Sequence, residues 1–190
     1  MMAPNESAAA VFLDRDGTLM REVNYCADPQ QVEIFPGVVD ALVRLKRAGY
    51  KLIVISNQAG IGRGYFTEAQ YRLVEAEVAR AVLPATFDAV YFCPDRPDLA
   101  TDRRKPAPGM VLEAQRDHDL DLARSFFIGD KAIDIECGRN AGVRTILVKT
   151  GYGEAEETLA GADWIATDLG QAASIILSLN ETPPENSPAG

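Results

Sequence analysis

The chain has 190 residues, of which 47% are hydrophobic and 25% charged, and its formal net charge is −9. A chain of this size buries a sizeable core without disulfide or metal staples, so one domain is expected, and the acidic balance argues against nucleic-acid partners, whose phosphate backbones call for Lys- and Arg-rich surfaces. The three cysteines, Cys26, Cys93 and Cys137, form no C-x-x-C pair and read as reduced thiols of a cytoplasmic protein.

From the N-terminus, Met1–Ser7 is polar and the apolar run Ala8–Leu13 lacks the basic segment of a signal peptide. Residues 1–9 are expected to be disordered. No stretch approaches 18 apolar residues, so no membrane segment is expected. A strand is predicted at Ala10–Leu13, ending in Asp14-Arg15-Asp16-Gly17-Thr18, and Thr18 to Pro36 leaves room only for a flap. Val38–Ala48 carries apolar residues at Val38, Ala41, Leu42 and Leu45 and stops at Gly49, the pattern of a capped helix. The strand Lys51–Ser56 leads into Ser56-Asn57-Gln58-Ala59-Gly60, a glycine-rich loop and the helix Thr67–Val82. Strands at Ala89–Phe92, Ser125–Ile128, Val143–Val148 and, more weakly, Asp163–Ala166 alternate with helices at Pro108–Arg116, Ala132–Ala141 and Asp168–Leu179. Residues 181–190 hold three prolines and read as a disordered tail, which leaves residues 10–180 as the domain.

Alternating strands and helices specify an α/β fold, a Rossmann-like three-layer sandwich with a mainly parallel sheet. In such sheets ligands sit outside the carboxyl ends of the strands. There stand Asp14 and Asp16 after the first strand and Ser56 after the second. Arg104-Lys105-Pro106 follows the third strand and its loop, and Gly129-Asp130-Lys131 with Asp134 follows the fourth. Asp14 and Asp16, two residues apart, can face one centre. With Asp130 they would repel unless a hard cation such as Mg²⁺ joined them, and that cation would also offset the charge of a phosphate. Lys105 offers a compact positive charge for a phosphoryl group and Ser56 a hydroxyl donor. The single histidine, His118, lies in the polar stretch Asp117–Asp121 and reads as a solvated helix-end residue, so acid–base work falls to carboxylates. An isolated D-x-D more often marks a turn or cap; four such groups at four successive strand ends carry the reading.

These motifs resemble the haloacid dehalogenase superfamily of phosphohydrolases, over Ala10 to about Ala166. The resemblance implies a fold with no large cap domain here and a role for each matching residue. Asp14 would be the nucleophile that becomes an aspartyl-phosphate. Asp16 would protonate the leaving alcohol and then activate water, while Ser56 and Lys105 hold the phosphoryl group. Mg²⁺ would be held by the side chains of Asp14 and Asp130 and the backbone carbonyl of Asp16, with Asp134 supporting. Within the superfamily the chain is most similar to the group of D-glycero-D-manno-heptose 1,7-bisphosphate and histidinol-phosphate phosphatases. Gly60–Phe66 and Arg104–Met110 favour the heptose enzymes, which implies a 7-phosphatase acting on a sugar bisphosphate, with histidinol phosphate or another small phosphate ester as the alternative. Similarity to that group also implies substrate contacts from Glu22, Val23, Asn24, Tyr25, Ser56, Asn57, Gln58, Ala59, Arg104, Lys105 and Lys131, with Arg104 holding the second phosphate. A monomer is expected.

The chain departs from that group in one loop. Relatives carry a structural zinc held by C-x-H and C-x-C before the Arg-Lys-Pro element. Here Cys93-Pro94-Asp95 keeps one cysteine, and Thr101 and Arg103 stand at the later cysteine positions. A closed zinc site needs four ligands, so no zinc is expected. The competing reading is a phospho-accepting domain without turnover; Asp16 argues against it, since mere acceptance needs no second carboxylate for acid–base work.

Overall fold

The computed structural model describes residues 7–181. Six parallel strands form one sheet: β1 (Ala10–Leu13), β2 (Lys51–Asn57), β3 (Ala89–Cys93), β4 (Phe126–Gly129), β5 (Arg144–Val148) and β6 (Trp164–Ala166), in the order β3-β2-β1-β4-β5-β6. The helices are α1 (Val38–Arg47), α2 (Ala59–Gly62), α3 (Glu68–Ala81), α4 (Gly109–His118), α5 (Ala132–Ala141), α6 (Gly153–Ala160) and α7 (Leu169–Glu181). The expected strands and helices are present with ends shifted by a residue or two.

Strand β1 is buried at every position because both faces of the sheet are covered. Its alternate residues Val11 and Leu13 join Val54, Phe126 and Ile128 under α1 and α7, supplied by Leu42, Leu45, Ala173 and Ile176. Ala10 and Phe12 join Ile53 and Phe127 under α4 and α5, supplied by Met110, Val111 and Cys137. That is the expected three-layer sandwich. The chain from Thr18 to Pro36 is a flap with one 3₁₀ turn, Pro29–Gln31, whose Met20 and Cys26 pack on Val74 and Val78 of α3. Helix α3 begins with a capping box: Thr67 Oγ1 accepts from the Gln70 N–H at 3.2 Å, and Gln70 Oε1 accepts from the Thr67 N–H at 2.9 Å.

Two helices carry no clear sequence signal. Helix α2 is a single turn, and α6, Gly-Glu-Ala-Glu-Glu-Thr-Leu-Ala, buries only Gly153 and Ala160, so its apolar stripe is too narrow to register as periodicity. Ser125, expected inside a strand, is a junction residue instead: its Oγ accepts from the Ala10 N–H at 2.9 Å and donates to the Asp121 carbonyl at 2.6 Å. His118 is the last residue of α4, half-buried. All three cysteines are free and buried. Of the expected disordered ends, residues 1–6 and 182–190 lie outside the described residues, while Ala8 pairs with Leu120 and Glu181 closes α7. Among the described residues no helix is long and apolar enough to cross a membrane.

Phe126 is fully buried at the centre, its ring 6.2 Å from that of Tyr50 and 6.1 Å from that of Trp164, with the Arg144 guanidinium 3.8 Å above it. Phe126→Ala is expected to destabilise the fold by about 3–5 kcal/mol, read as a lower urea midpoint; a loss under about 1 kcal/mol would show that the site collapses to fill the cavity.

Candidate active site

From β1 the chain proceeds outward to β2 and β3 on one side, and from β4 to β5 and β6 on the other. The crevice at the carboxyl ends of β1 and β4 is therefore the switch point of the sheet, the favoured place for a ligand. Asp14 leaves β1 there, its N–H donating to the Ile128 carbonyl at 2.9 Å, and Asp130 leaves β4 beside it. The turn after Asp14 is closed by the Arg15 carbonyl, which accepts from the N–H groups of Leu19 and Met20 at 3.0 and 3.2 Å.

Two glycines make room for Asp130. Gly17 has φ +90° and Gly151 φ +56°, and a Cβ at either would lie 2.1 or 2.2 Å from Asp130 Oδ2. No side chain fits between the turn after β1 and the carboxylate from β4. Thr150 Oγ1 binds this arrangement together by donating to the Gly17 carbonyl at 2.7 Å.

The carboxylates are buried and crowded. Asp130 Oδ2 accepts from the Tyr152 N–H at 2.8 Å, while its Oδ1 is buried with no hydrogen-bond partner. Burial pushes the Asp130 carboxyl up to about 7. Burial also raises Asp14 well above the usual carboxylate range; Lys105 opposes this, and Asp134, Asp130 and Asp16 reinforce it. The Lys105 ammonium lies 2.6 Å from Asp14 Oδ1, 2.7 Å from Asp134 Oδ1 and 2.9 Å from the Ile55 carbonyl. Burial weakens this lysine's hold on its proton, but the Asp134 and Asp14 carboxylates together outweigh it and keep the ammonium charged.

Asp14, Asp130 and Asp134 offer oxygens within 4.8 Å of one another and could hold a metal ion. A hard cation with oxygen ligands fits this donor set, and the unpartnered Asp130 Oδ1 is an atom such an ion would satisfy. Asp134 Oδ1 makes no hydrogen bond but is ion-paired with the Lys105 ammonium at 2.7 Å, and its Oδ2 accepts from the Lys131 N–H at 3.1 Å. That leaves Asp14 and Asp130 better placed as ligands and Asp134 as their support.

Asp16 is gripped from two sides. Arg15 donates from Nη2 to Oδ1 at 2.9 Å and from Nε to Oδ2 at 3.1 Å, and Gln58 Nε2 donates to Oδ2 at 3.0 Å. The same Gln58 nitrogen lies 2.8 Å from Ser56 Oγ, so Ser56 and Asp16 share one amide. Sequence reasoning passed over Arg15. It is 2% exposed and stacks its guanidinium 5.3 Å from the centre of the Tyr71 ring. An arginine between two strand-end aspartates was the available signal, because a buried guanidinium requires a carboxylate partner.

A cavity of about 280 Å³ opens above these groups, lined by Asp14, Asp16 and Lys105, by Glu22, Val23, Asn24 and Tyr25 of the flap, by Asn57, Gln58 and Ala59, and by Lys131 and Tyr152. Lys131 Nζ lies 2.9 Å from Glu22 Oε2 and 4.6 Å from the Tyr152 ring centre, so it ties the flap to the start of α5. Ser56, Asp130 and Arg104 are not in the lining. Arg104 instead donates from Nη1 to the Asp95 carbonyl at 2.7 Å. In that loop Asp95 Oδ2 accepts from the Thr101 N–H at 3.0 Å and the Thr101 hydroxyl at 2.5 Å, and Arg103 pairs with Glu113 at 2.8 Å. Cys93 is buried, and burial pushes its thiol up to about 11.

The HAD-hydrolase-like family model matches residues 102–172. The D-glycero-D-manno-heptose-1,7-bisphosphate 7-phosphatase of Thermosynechococcus vestitus is 43% identical over 191 aligned positions, covering 84% of this chain and 96% of that protein. The Yersinia pestis D-glycero-beta-D-manno-heptose-1,7-bisphosphate 7-phosphatase is 38% identical over 86% of this chain and 93% of its own. Among solved structures, the D,D-heptose 1,7-bisphosphate phosphatase of B. bronchiseptica, crystallised with magnesium and phosphate, superposes with a TM-score of 0.84 at 30% identity, covering 90% of this chain and 99% of that one. With its carboxylates at the carboxyl ends of β1 and β4 of a parallel sheet, the chain belongs to the haloacid-dehalogenase-like phosphatases, in the family of the heptose-1,7-bisphosphate 7-phosphatases.

Proposed function

We propose that this chain removes the 7-phosphate from a D-glycero-D-manno-heptose 1,7-bisphosphate, with Mg²⁺ as cofactor and Asp14 as nucleophile. The observation that carries the reading is the meeting of Asp14, Lys105 and Asp130 at the switch point of the sheet, beneath a cavity closed on one side by the flap. Asp14 attacks phosphorus, the bond to the sugar oxygen breaks, and Asp16 delivers a proton to that oxygen. Asp16 then takes a proton from water, which attacks the aspartyl-phosphate and releases inorganic phosphate. Lys105, with Ser56, holds the phosphoryl oxygens during both transfers. When bound by Asp14, Asp130 and the Asp16 carbonyl, Mg²⁺ offsets the charge that would otherwise repel an anionic ester. The pairing of Asp16 with Arg15 and Gln58 sets its orientation beside Ser56.

Lys131 and Arg104 are the cations proposed for the remote phosphate. Lys131 lines the cavity, whereas Arg104 reaches it only by giving up the Asp95 carbonyl. Contacts to a remote group help position the reacting ester, so a bisphosphate should outrun sugar monophosphates. Phosphate release from heptose 1,7-bisphosphate, histidinol phosphate and sugar monophosphates tests the substrate; histidinol phosphate turned over with equal or higher efficiency would overturn the heptose assignment.

Asp14→Asn is expected to fold, as seen by circular dichroism, and to lose at least about a thousandfold in kcat, as for other removed nucleophiles. Turnover near wild type would end the nucleophile assignment.

The raised Asp130 carboxyl makes a second prediction. An unfolded aspartate releases its proton near pH 4, whereas folded Asp130 holds it up to about pH 7. Between those values the folded state binds more protons, so this group destabilises the metal-free protein as pH rises. A cation competes with that proton. Saturating Mg²⁺ should therefore raise the melting temperature more at about pH 8 than at about pH 5; an equal rise at both would refute the site.

Zinc content is the third. With Asp95 and Thr101 hydrogen-bonded to each other where relatives place zinc ligands, elemental analysis of purified protein should find no stoichiometric zinc. One zinc per chain that survives dialysis would overturn this.

A further inference from the structure

We propose that Asn57 is the positioning residue for Lys105, acting through the lysine main chain and not as a contact to substrate. Asn57 is the last residue of β2, where similarity to relatives implied a substrate contact. Asn57 lines the cavity, but both polar atoms of its side-chain amide are bonded to Lys105. Nδ2 donates to the Lys105 carbonyl at 3.0 Å, and Oδ1 accepts from the Lys105 N–H at 3.1 Å. Both bonds go to one residue 48 positions away, which belongs to no helix or strand. The amide thus stands in for the neighbouring strand that Lys105 lacks, satisfying a backbone donor and acceptor together.

The geometry explains why a lysine needs this. Its ammonium hangs on a flexible four-carbon stem, so its place depends on where both ends are held. The tip is held by Asp14, Asp134 and the Ile55 carbonyl, and the root by Asn57. Ile55 and Asn57 belong to the same strand, so β2 grips Lys105 at both ends. Asparagine alone offers a donor and an acceptor at this reach. Aspartate keeps the acceptor for the N–H but sets a second oxygen against the Lys105 carbonyl, and glutamine is one methylene too long.

This inference rests on Lys105 holding the phosphoryl group. The test is a double-mutant cycle on the Mg²⁺-loaded full chain, with Asn57→Ala and Asn57→Asp each made alone and with Lys105→Ala. Turnover of heptose 1,7-bisphosphate and calorimetric binding of inorganic phosphate are the two readouts, and thermal melting checks folding. Asn57→Ala should lower kcat about tenfold or more, since small misplacements of a catalytic group are costly. It should weaken phosphate binding too, and Asn57→Asp should do likewise. In the Lys105→Ala background neither substitution should cost anything further, because the residue they position is gone. Equal losses with and without Lys105 would show that Asn57 acts on the substrate itself and would overturn the proposal. So would phosphate binding unchanged in both single variants. If Lys105→Ala alone matched wild type in both readouts, the phosphate role of Lys105 would fall, and this inference with it.

Discussion

One ammonium group holds the catalytic end of this molecule together. Lys105 lies between Asp14 and Asp134, almost without solvent, and is the cation that lets the carboxylate after β1 stay beside the one in the first turn of α5. Buried ion pairs of this kind add little net stability, but breaking one strands a charge at a cost of about 3–5 kcal/mol. The lysine is thus less a source of stability than a condition for the site to exist. Burial leaves Asp130 Oδ1 unpartnered and its carboxyl raised, so the site favours any further positive charge that can reach it.

Around that centre, roles divide by what each side chain can no longer do. Arg15 cannot lose its proton, and its fork permanently occupies Asp16 from one side. Gln58 donates from one side-chain NH2 to both Asp16 and Ser56, which links the proposed acid–base group to the proposed phosphate donor. Gly17 and Gly151 contribute by having no side chain, since any Cβ would strike Asp130. Access comes from the flap, which packs on α3 through Met20 and Cys26 and reaches α5 through the Glu22–Lys131 pair.

The loop between Cys93 and Lys105 shows how a segment can be organised from within. Asp95 accepts from Thr101 with its carboxylate and from Arg104 with its carbonyl, so one residue pins both later parts of the loop. The Thr101 bonds are exposed, the Arg104 bond is half-buried, and each is individually weak. They occupy Arg104 in shaping the loop that delivers Lys105, which is why Arg104 does not line the cavity although its neighbour does.

The sequence by itself determined the strands, the main helices and the identity of the reactive groups. Runs such as Ala10–Leu13 and Phe126–Ile128 are apolar on both sides because a central parallel strand is covered on both faces, and Asp14, Asp16 and Asp130 stand out because a core would not choose them. Helix α6 and the single turn α2 were not legible, since neither buries a full apolar stripe. Arg15 was marked only by its place between two aspartates, because its burial and its choice of Asp16 as partner belong to the folded turn. Which residues meet was decided only by the tertiary structure. Lys105 reaches Asp14 across 91 positions, and Asn57 reaches the Lys105 backbone across 48. Such pairings depend on the order of strands in the sheet and on the path of loops without periodicity, and hydrophobic patterning carries no record of either.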